Sequence, residues 1–421
     1  MGTTLSWLKL LSFTGATQVL VQAISFMCGI LVVRLLPTDE YAFYTLANTM
    51  LGTMTMLADG GISTGVMAQG GRVWMDKKKF GGVLATGLQL RKQFAVFSLL
   101  ISVPVLVVLL KNNGASWITT LLITVSIIPA FLCGLTGHIF RIGPELHQEI
   151  VPLQRISIFQ NSGRLIITAL FIFIFPFAGV AILASGIAEV YANLKLKRLA
   201  VLHADYSQNP DEEVRSEILE TVKRIMPGAI YYSFSSQITI WVISIFGSTE
   251  SLAQIGALNR LAMVLSVFTA TFAILVKPRF ARLPQNEKSL LGYFLALQAG
   301  LLLVAASIVF VVWFFPQQAL WILGADYSDL TEEVFLLAAG SAIGLVSSGI
   351  GQLCASRGYL FKAHTMIGVG VFQNLMILTV DYTSLRGVLF YSILVSILNV
   401  AYNNIQFLAN FREKSDQKVN H

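Results

Sequence analysis

Four ionisable side chains interrupt otherwise apolar stretches of this 421-residue chain: Arg155, Arg164, Glu189 and Arg260. Arg34, Asp59 and His138 lie nearer the ends of such stretches. A charge inside a bilayer is costly, so each is a candidate for function if those stretches span a membrane. The chemistry on offer is recognition. A guanidinium makes paired, charge-assisted bonds to phosphates and carboxylates. Signs of catalysis are missing: there is no GxxxxGK[ST] loop and no HExxH. Cys28, Cys133 and Cys354 show neither metal-ligand spacing nor a disulfide framework.

The stretch around Arg164 is the most informative. At about 100° per residue, Ser157, Gln160, Asn161, Arg164 and Thr168 share a helical stripe roughly 100° wide. A polar stripe with a cation on it faces a water-filled cavity or the interior of a helix bundle. Arg155 falls on the opposite side, close enough to one end to snorkel. Arg164 stands as far before the turn at Pro176-Phe177 as Glu189 stands after it. At ~1.5 Å per residue the two reach one depth on neighbouring helices. A structural ion pair and a ligand contact by Arg164 both fit that placement.

Weaker stripes occur elsewhere. Thr14, Gln18, Gln22 and Ser25 fall within about 80°, and Tyr232, Ser236 and Thr239 within about 60°. Ser233, Gln237 and Ser244 form a second line beside the latter. Such residues either line a cavity that contacts sugars or phosphates, or join helices through hydrogen bonds. Asn259 and Arg260 lie well inside another apolar run and suit a buried cationic ligand site or a structural pair. At Asp59, Gly60 and Gly61 follow and end the helix, so local capping competes with function there.

The elements that position these residues follow from composition. Hydrophobic residues make up 55% of the chain and charged ones 12%, with a mean hydropathy of +0.71. Soluble domains carry about 25% charged residues, so this is an all-α integral membrane protein. The apolar runs are continuous rather than alternating, which favours helices over a barrel. About twelve spans are expected, near 10–35, 41–69, 93–110, 117–139, 153–175, 177–194, 225–247, 252–276, 290–314, 331–353, 364–380 and 386–409. The first reads as a retained span rather than a signal peptide.

Lysine and arginine set the orientation. With the N-terminus inside, the cytoplasmic segments hold Lys77, Lys78, Lys79, Arg91, Lys92, Lys195, Lys197 and Arg198, among others. The outer loops hold Lys111 and Arg386, with Arg34 at their edge. Both termini are then cytoplasmic. The net charge of +7 marks the face toward anionic lipid headgroups, not a nucleic-acid partner.

The spans divide into two six-helix lobes, 1–194 and 225–409, followed by a cytoplasmic tail at 410–421. Residues 195–224 form a cytoplasmic linker carrying an amphipathic surface helix, acidic at its start and basic at its end. The lobes share features: Thr38 and Thr249 sit at matching turns, and one offset pairs Ala42 with Ala253 and Asn48 with Asn259. Parallel six-helix repeats about an axis along the membrane normal are expected.

The stretch Gly29-Ile-Leu-Val-Val-Arg34-Leu-Leu-Pro37-Thr-Asp-Glu40-Tyr41-Ala-Phe-Tyr44 resembles the opening hairpin of bacterial polysaccharide-biosynthesis membrane proteins. Leu57-Ala-Asp59-Gly60-Gly61 and Trp321-Ile-Leu-Gly324-Ala-Asp-Tyr327 are similar to later motifs of the same proteins. These are Wzx-type O-antigen or capsule flippases of the multidrug/oligosaccharidyl-lipid/polysaccharide (MOP) superfamily. A single Pro37 replaces their usual Gly-Pro, and Ala42 stands where glycine is common.

The resemblance implies a bacterial inner-membrane protein, not an enzyme and without a cofactor. It would move an undecaprenyl-diphosphate-linked oligosaccharide from the inner to the outer leaflet by alternating access. It also implies contact with membrane lipids and with a polysaccharide polymerase or export complex. Arg164 and Arg260 would then bind the diphosphate or acidic sugars, with Asn259, Gln160, Asn161, Gln18, Gln22, Tyr232 and Ser236 around the cavity. Two alternatives stand beside it. One is an ion-coupled multidrug or small-solute exporter of the same superfamily, although such exporters often use a carboxylate in span one and none is present here. The other is a membrane glycan polymerase or glycosyltransferase, which usually shows a long outer loop or a surface carboxylate cluster.

Overall fold

A computed structural model describes residues 2–235, 237–281, 283, 287–357, 359 and 363–419. Among these there are helices and turns and no strand. The chain divides into two compact units, Met1–Ile245 and Phe246–His421.

Unit 1 opens with α1 (Gly2–Leu35), α2 (Thr38–Asp59), α3 (Ile62–Val73) and α4 (Lys77–Asn112). It continues with α5 (Trp117–Leu146), α6 (Ile150–Ile174), α7 (Ala178–Ala200) and α8 (Glu212–Ser235). Helix α9 (Ile238–Phe246) reaches the boundary. Unit 2 holds α10 (Thr249–Ala262), α11 (Leu265–Leu275), α12 (Lys277–Ala281), α13 (Glu287–Phe314), α14 (Pro316–Trp321), α15 (Thr331–Ser356), α16 (Ala363–Leu375) and α17 (Leu385–Val419).

Among the described residues, eight helices are long and apolar enough to cross a membrane, and ten spans result if each of two bent pairs counts as one. The α2–α3 pair and the shorter apolar helix at Ile367–Thr379 occupy the two remaining expected spans. The chain is a multi-pass membrane protein.

Three expected segments differ in detail. The connection at 72–92 is mostly helix, because α4 starts at Lys77 and runs for 36 residues. Asp76 caps it, accepting from the backbone N–H groups of Lys78 and Lys79 at 3.0 and 3.2 Å. At ~1.5 Å per residue α4 exceeds the ~30 Å hydrocarbon thickness. The second span breaks at Gly60 and Gly61, whose φ angles are +48° and +98°. These are left-handed values that glycine adopts without cost. The amphipathic segment after Pro210 does not stop near Lys223-Arg224 but continues as α8 through Pro227. Its apolar side is buried. Ile218 and Val222 join a core of Ile62, Val66, Phe80, Leu84 and Ile139.

Both units use one packing device. In unit 1, Asn193 of α7 donates to the Cys133 carbonyl and the Thr136 hydroxyl of α5, both at 2.6 Å. In unit 2, Asn403 of α17 donates to the carbonyl and hydroxyl of Ser347 on α15, at 2.9 and 3.1 Å. Between apolar helices in lipid such amide bonds, with close-packed small residues, supply the cohesion that the hydrophobic effect does not.

Candidate functional site

The broad stripe on α6 opens onto a cavity of about 220 Å³ inside unit 1. Four helices wall it. Helix α6 contributes Gln160, Asn161 and Arg164, and α7 contributes Ile182, Ser185, Ala188 and Glu189. Helix α2 adds Tyr44, Asn48 and Thr55, one turn or two apart, and α5 adds Ala130 and Gly134. The structure therefore brings Arg164 and Glu189 into one cavity near the middle of adjacent helices, and the positive charge of Arg164 acts on the Glu189 carboxylate.

The walls are held by specific bonds. Gln160 Nε2 donates to Glu189 Oε2, tying α6 to α7 across the cavity. Asn161 is committed on both ends of its amide. Its Oδ1 accepts from Ser25 Oγ of α1 at 2.9 Å, and its Nδ2 donates to the Ser157 carbonyl at 2.8 Å. Asn48, by contrast, is exposed to the cavity and makes no hydrogen bond among the described residues. Thr55 and Ser185 donate to the carbonyls one turn back, at 2.7 and 3.1 Å, leaving oxygen lone pairs toward the cavity. Helix α7 is set in place by Glu40, whose Oε2 accepts from the Ala178 N–H at 2.7 Å. That bond satisfies an orphan donor of the first turn and places a negative charge at the positive helix end.

The other candidate residues lie elsewhere. Gln18 is exposed and Gln22 half-buried on α1, and neither lines the cavity; Ser25 is the α1 residue that reaches its wall. Asn259 and Arg260 belong to unit 2, in the last turn of α10. There the Arg260 guanidinium lies 3.6 Å from Met263 Sδ, beside a 41° bend between α10 and α11. Ser236 and the side chain of Tyr232 lie outside the described residues. Beside that bend, unit 2 holds an apolar groove of about 700 Å³ between α11, α13 and α15, lined by Leu265, Phe268, Val304, Ile308, Leu337 and Ala338 among others.

A second buried charge centre was not visible in the sequence. Arg91, which the sequence places in a cytoplasmic segment outside the expected spans, is 2% exposed on α4. Its guanidinium donates to Asp59, to Ser63 Oγ and to the Leu135 carbonyl. Asp59 Oδ1 also accepts from the Ser63 N–H at 3.2 Å and the Ser63 hydroxyl at 2.6 Å. Asp59 therefore caps α3 and anchors α4 at once. The residues missed at the cavity are Tyr44, Asn48, Thr55 and Ser185. For those on α2, the available signal was their spacing of four and seven residues, which sets them on one helix face.

No family model and no curated protein matches the sequence. Solved structures do. One is the inward-facing conformation of a multidrug resistance MATE family transporter of the MOP superfamily, with a TM-score of 0.68 at 14% identity, covering 94% of this chain and 96% of that one. Another is the lipid II flippase MurJ in an inward closed conformation, with a TM-score of 0.72 at 12% identity, covering 95% of this chain and 89% of that one. A third is MATE in complex with MaD3S, with a TM-score of 0.63 at 16% identity over 96% of both chains. The likeness is one of fold, shared along almost the whole length.

Proposed function

We propose that this chain is a Wzx-type flippase. It carries an undecaprenyl-diphosphate-linked oligosaccharide from the inner to the outer leaflet of a bacterial inner membrane, for O-antigen, capsule or exopolysaccharide assembly. The observation that carries this reading is the unit 1 cavity, where a guanidinium, a carboxylate and several amides and hydroxyls gather midway along apolar helices. Apolar cargo has no use for such a site, and a membrane helix bears that many polar groups only at a cost.

The substrate class matches in three parts. Its glycan needs hydroxyl and amide partners, which the unit 1 cavity offers. Its diphosphate needs cations, and a guanidinium such as that of Arg260 is suited to it. Its hydrocarbon tail can remain among lipids. Movement between leaflets follows from alternate exposure of the polar cavity, as expected for two-lobed transporters. Both termini lie on the cytoplasmic face in this reading, and a polymerase or export complex receives the product.

A second reading rests on one residue. Glu189 puts a carboxylate into the cavity from α7, the kind of group an ion-coupled exporter uses, although span one carries none. The two readings part on cargo. In a strain lacking the gene, lipid-linked glycan should accumulate on the inner leaflet and surface glycan should disappear. Arg164→Ala and Arg260→Ala should fail to restore export at normal protein levels. Undiminished surface glycan in the deletion strain, with no redundant flippase present, would sink the flippase reading. Altered sensitivity to cationic drugs alone would leave the exporter.

A further inference from the structure

We propose that the unit 1 cavity binds a single uncharged sugar ring and does not hold the diphosphate. This inference rests on the flippase reading and names what that reading places in the cavity.

Size comes first. At about 220 Å³ the cavity is smaller than the ~300–1,000 Å³ of pockets that take drug-sized ligands. One ring fits such a space, and an oligosaccharide does not. Charge comes second. One cation and one anion, Arg164 and Glu189, share the lining, and among the described residues the wall contains no other ionisable acid or base apart from the Tyr44 phenol. A diphosphate would set its negative charges beside the Glu189 carboxylate with a single guanidinium to offset them. In a poorly solvated site that repulsion is strong. An acidic sugar meets the same carboxylate. A neutral ring meets none of this, and it can accept from Arg164 while donating to Glu189.

The kinds of group on the wall point the same way. Sugar hydroxyls both donate and accept, so they are best met by planar side chains that offer paired sites. Arg164, Glu189, Gln160 and Asn48 are all of that kind. Asn48 makes no hydrogen bond to the described protein, so its whole amide is available. The hydroxyl oxygens of Thr55 and Ser185, already donating to their own helices, remain acceptors. Tyr44, buried and stacked on Tyr41, is part of the wall. Asn161 is spent on Ser25 and Ser157 and acts as wall. An N-acetylated sugar is favoured over a plain hexose, because its amide matches Asn48 and Gln160.

The test uses the full-length protein in nanodiscs and three probes: undecaprenyl diphosphate alone, the same lipid carrying N-acetylglucosamine, and the same lipid carrying glucuronic acid. The N-acetylglucosaminyl lipid should bind about tenfold more tightly than the bare lipid, and the glucuronosyl lipid no more tightly than the bare one. Asn48→Leu and Ser185→Val should reduce the N-acetylglucosaminyl lipid to the affinity of bare lipid, with melting temperature in detergent as the check on folding. Glu189→Gln supplies a readout that a structural role would not move. It removes the negative charge at constant shape, so the glucuronosyl lipid should gain relative to the neutral one. A glucuronosyl lipid that binds most tightly in the wild type, or a bare lipid that binds as well as the glycosylated one, would overturn the neutral-ring site and leave the flippase reading standing. Failure of all three lipids to bind would overturn the flippase reading and the sugar site together.

Discussion

Removing the Asp59 carboxylate should harm the fold more than removing its partner Arg91. The guanidinium is the buried member: Arg91 is 2% exposed, whereas the Asp59 side chain is 30% exposed. In Asp59→Ala the cation stays in the core of unit 1 with only the Leu135 carbonyl and the Ser63 hydroxyl left to accept from it. Breaking a buried pair in this way costs about 3–5 kcal/mol, because the surviving charge is uncompensated. In Arg91→Met the surviving carboxylate reaches solvent and keeps both bonds from Ser63. The loss should be nearer ~1–3 kcal/mol, since methionine also fills much of the space of the arginine stem.

The double variant Asp59→Ala/Arg91→Met removes both charges, so it should be less destabilised than Asp59→Ala alone. Contacting residues of this kind show coupling of ~0.5–3 kcal/mol. Equilibrium unfolding of the purified protein in one detergent would measure all four members of the cycle. Surface-glycan export per folded molecule should stay near wild type throughout, because neither residue lines the cavity. The reasoning is refuted if Asp59→Ala is no worse than Arg91→Met, or if the double variant is simply additive.

Two further outcomes are expected. Gly61→Ala should be more damaging than Gly60→Ala: a Cβ at Gly61 would meet Ile225 Cβ at 2.9 Å, whereas at Gly60 the obstacle is the flexible end of Met226. Ile225→Ala removes the Cγ2 and Cδ1 contacts but keeps the Cβ at 2.9 Å, so it should recover only part of the steric cost in a thermal melt and leave in addition about 1–2 kcal/mol of left-handed backbone strain; full rescue would refute the backbone argument. In the turn after α7, hydrogen bonds from the Ser207 hydroxyl, the Gln208 amide and the Ser207 N–H hold the Asp205 carboxyl below its usual range. A depressed folded value means that the stabilising contribution is present at neutral pH and lost as pH falls below the ordinary ~3.9 and through the folded value. Hydrogen-exchange protection across 201–211, after allowance for the intrinsic pH dependence of amide exchange, should therefore fall only below about pH 4, and a loss of protection near neutral pH would count against it.

Two simple rules in the sequence converge on the cation and the anion that line the cavity. Helical periodicity gathered Gln160, Asn161 and Arg164 on one face, and equal distances from Pro176-Phe177 set Glu189 at the depth of Arg164. Those rules see one helix, or one hairpin, at a time. Asn48 and Thr55 enter from α2, which is remote in sequence, and their own helix gives no reason to prefer the cavity over any other polar contact. Arg91 was misplaced for a different reason. It stands beside Lys92, after a basic run at Lys77-Lys78-Lys79, where charge alone suggests a solvated loop. Its burial depends on Asp59 and on the turn at Gly60-Gly61 that brings Ser63 into range. Span boundaries failed where helices pass beyond the apolar run, as α4 and α8 do, because hydropathy marks what lipid requires and not where the helix ends.

The two units together bear on what the Glu189 charge is for. The offset that matches Asn193 with Asn403, residues doing the same work on α7 and α17, also matches Glu189 with Asn399. In unit 2 Asn399 Oδ1 accepts from Gln373 Nε2 of α16 at 2.9 Å, just as Glu189 accepts from Gln160 of α6 in unit 1. The cross-helix bond therefore occurs in both units, once to an amide and once to a carboxylate. An amide suffices to join two such helices, and in an apolar setting it does so without the cost of a buried charge. The carboxylate in unit 1 thus exceeds what packing requires. If that excess is functional, Glu189→Gln should melt within about 1 kcal/mol of wild type, as an isosteric neutral acceptor would, while glycan export falls sharply. A Glu189→Gln protein that loses stability and export in step would instead make the charge structural, and would return Arg164 to the role of its partner.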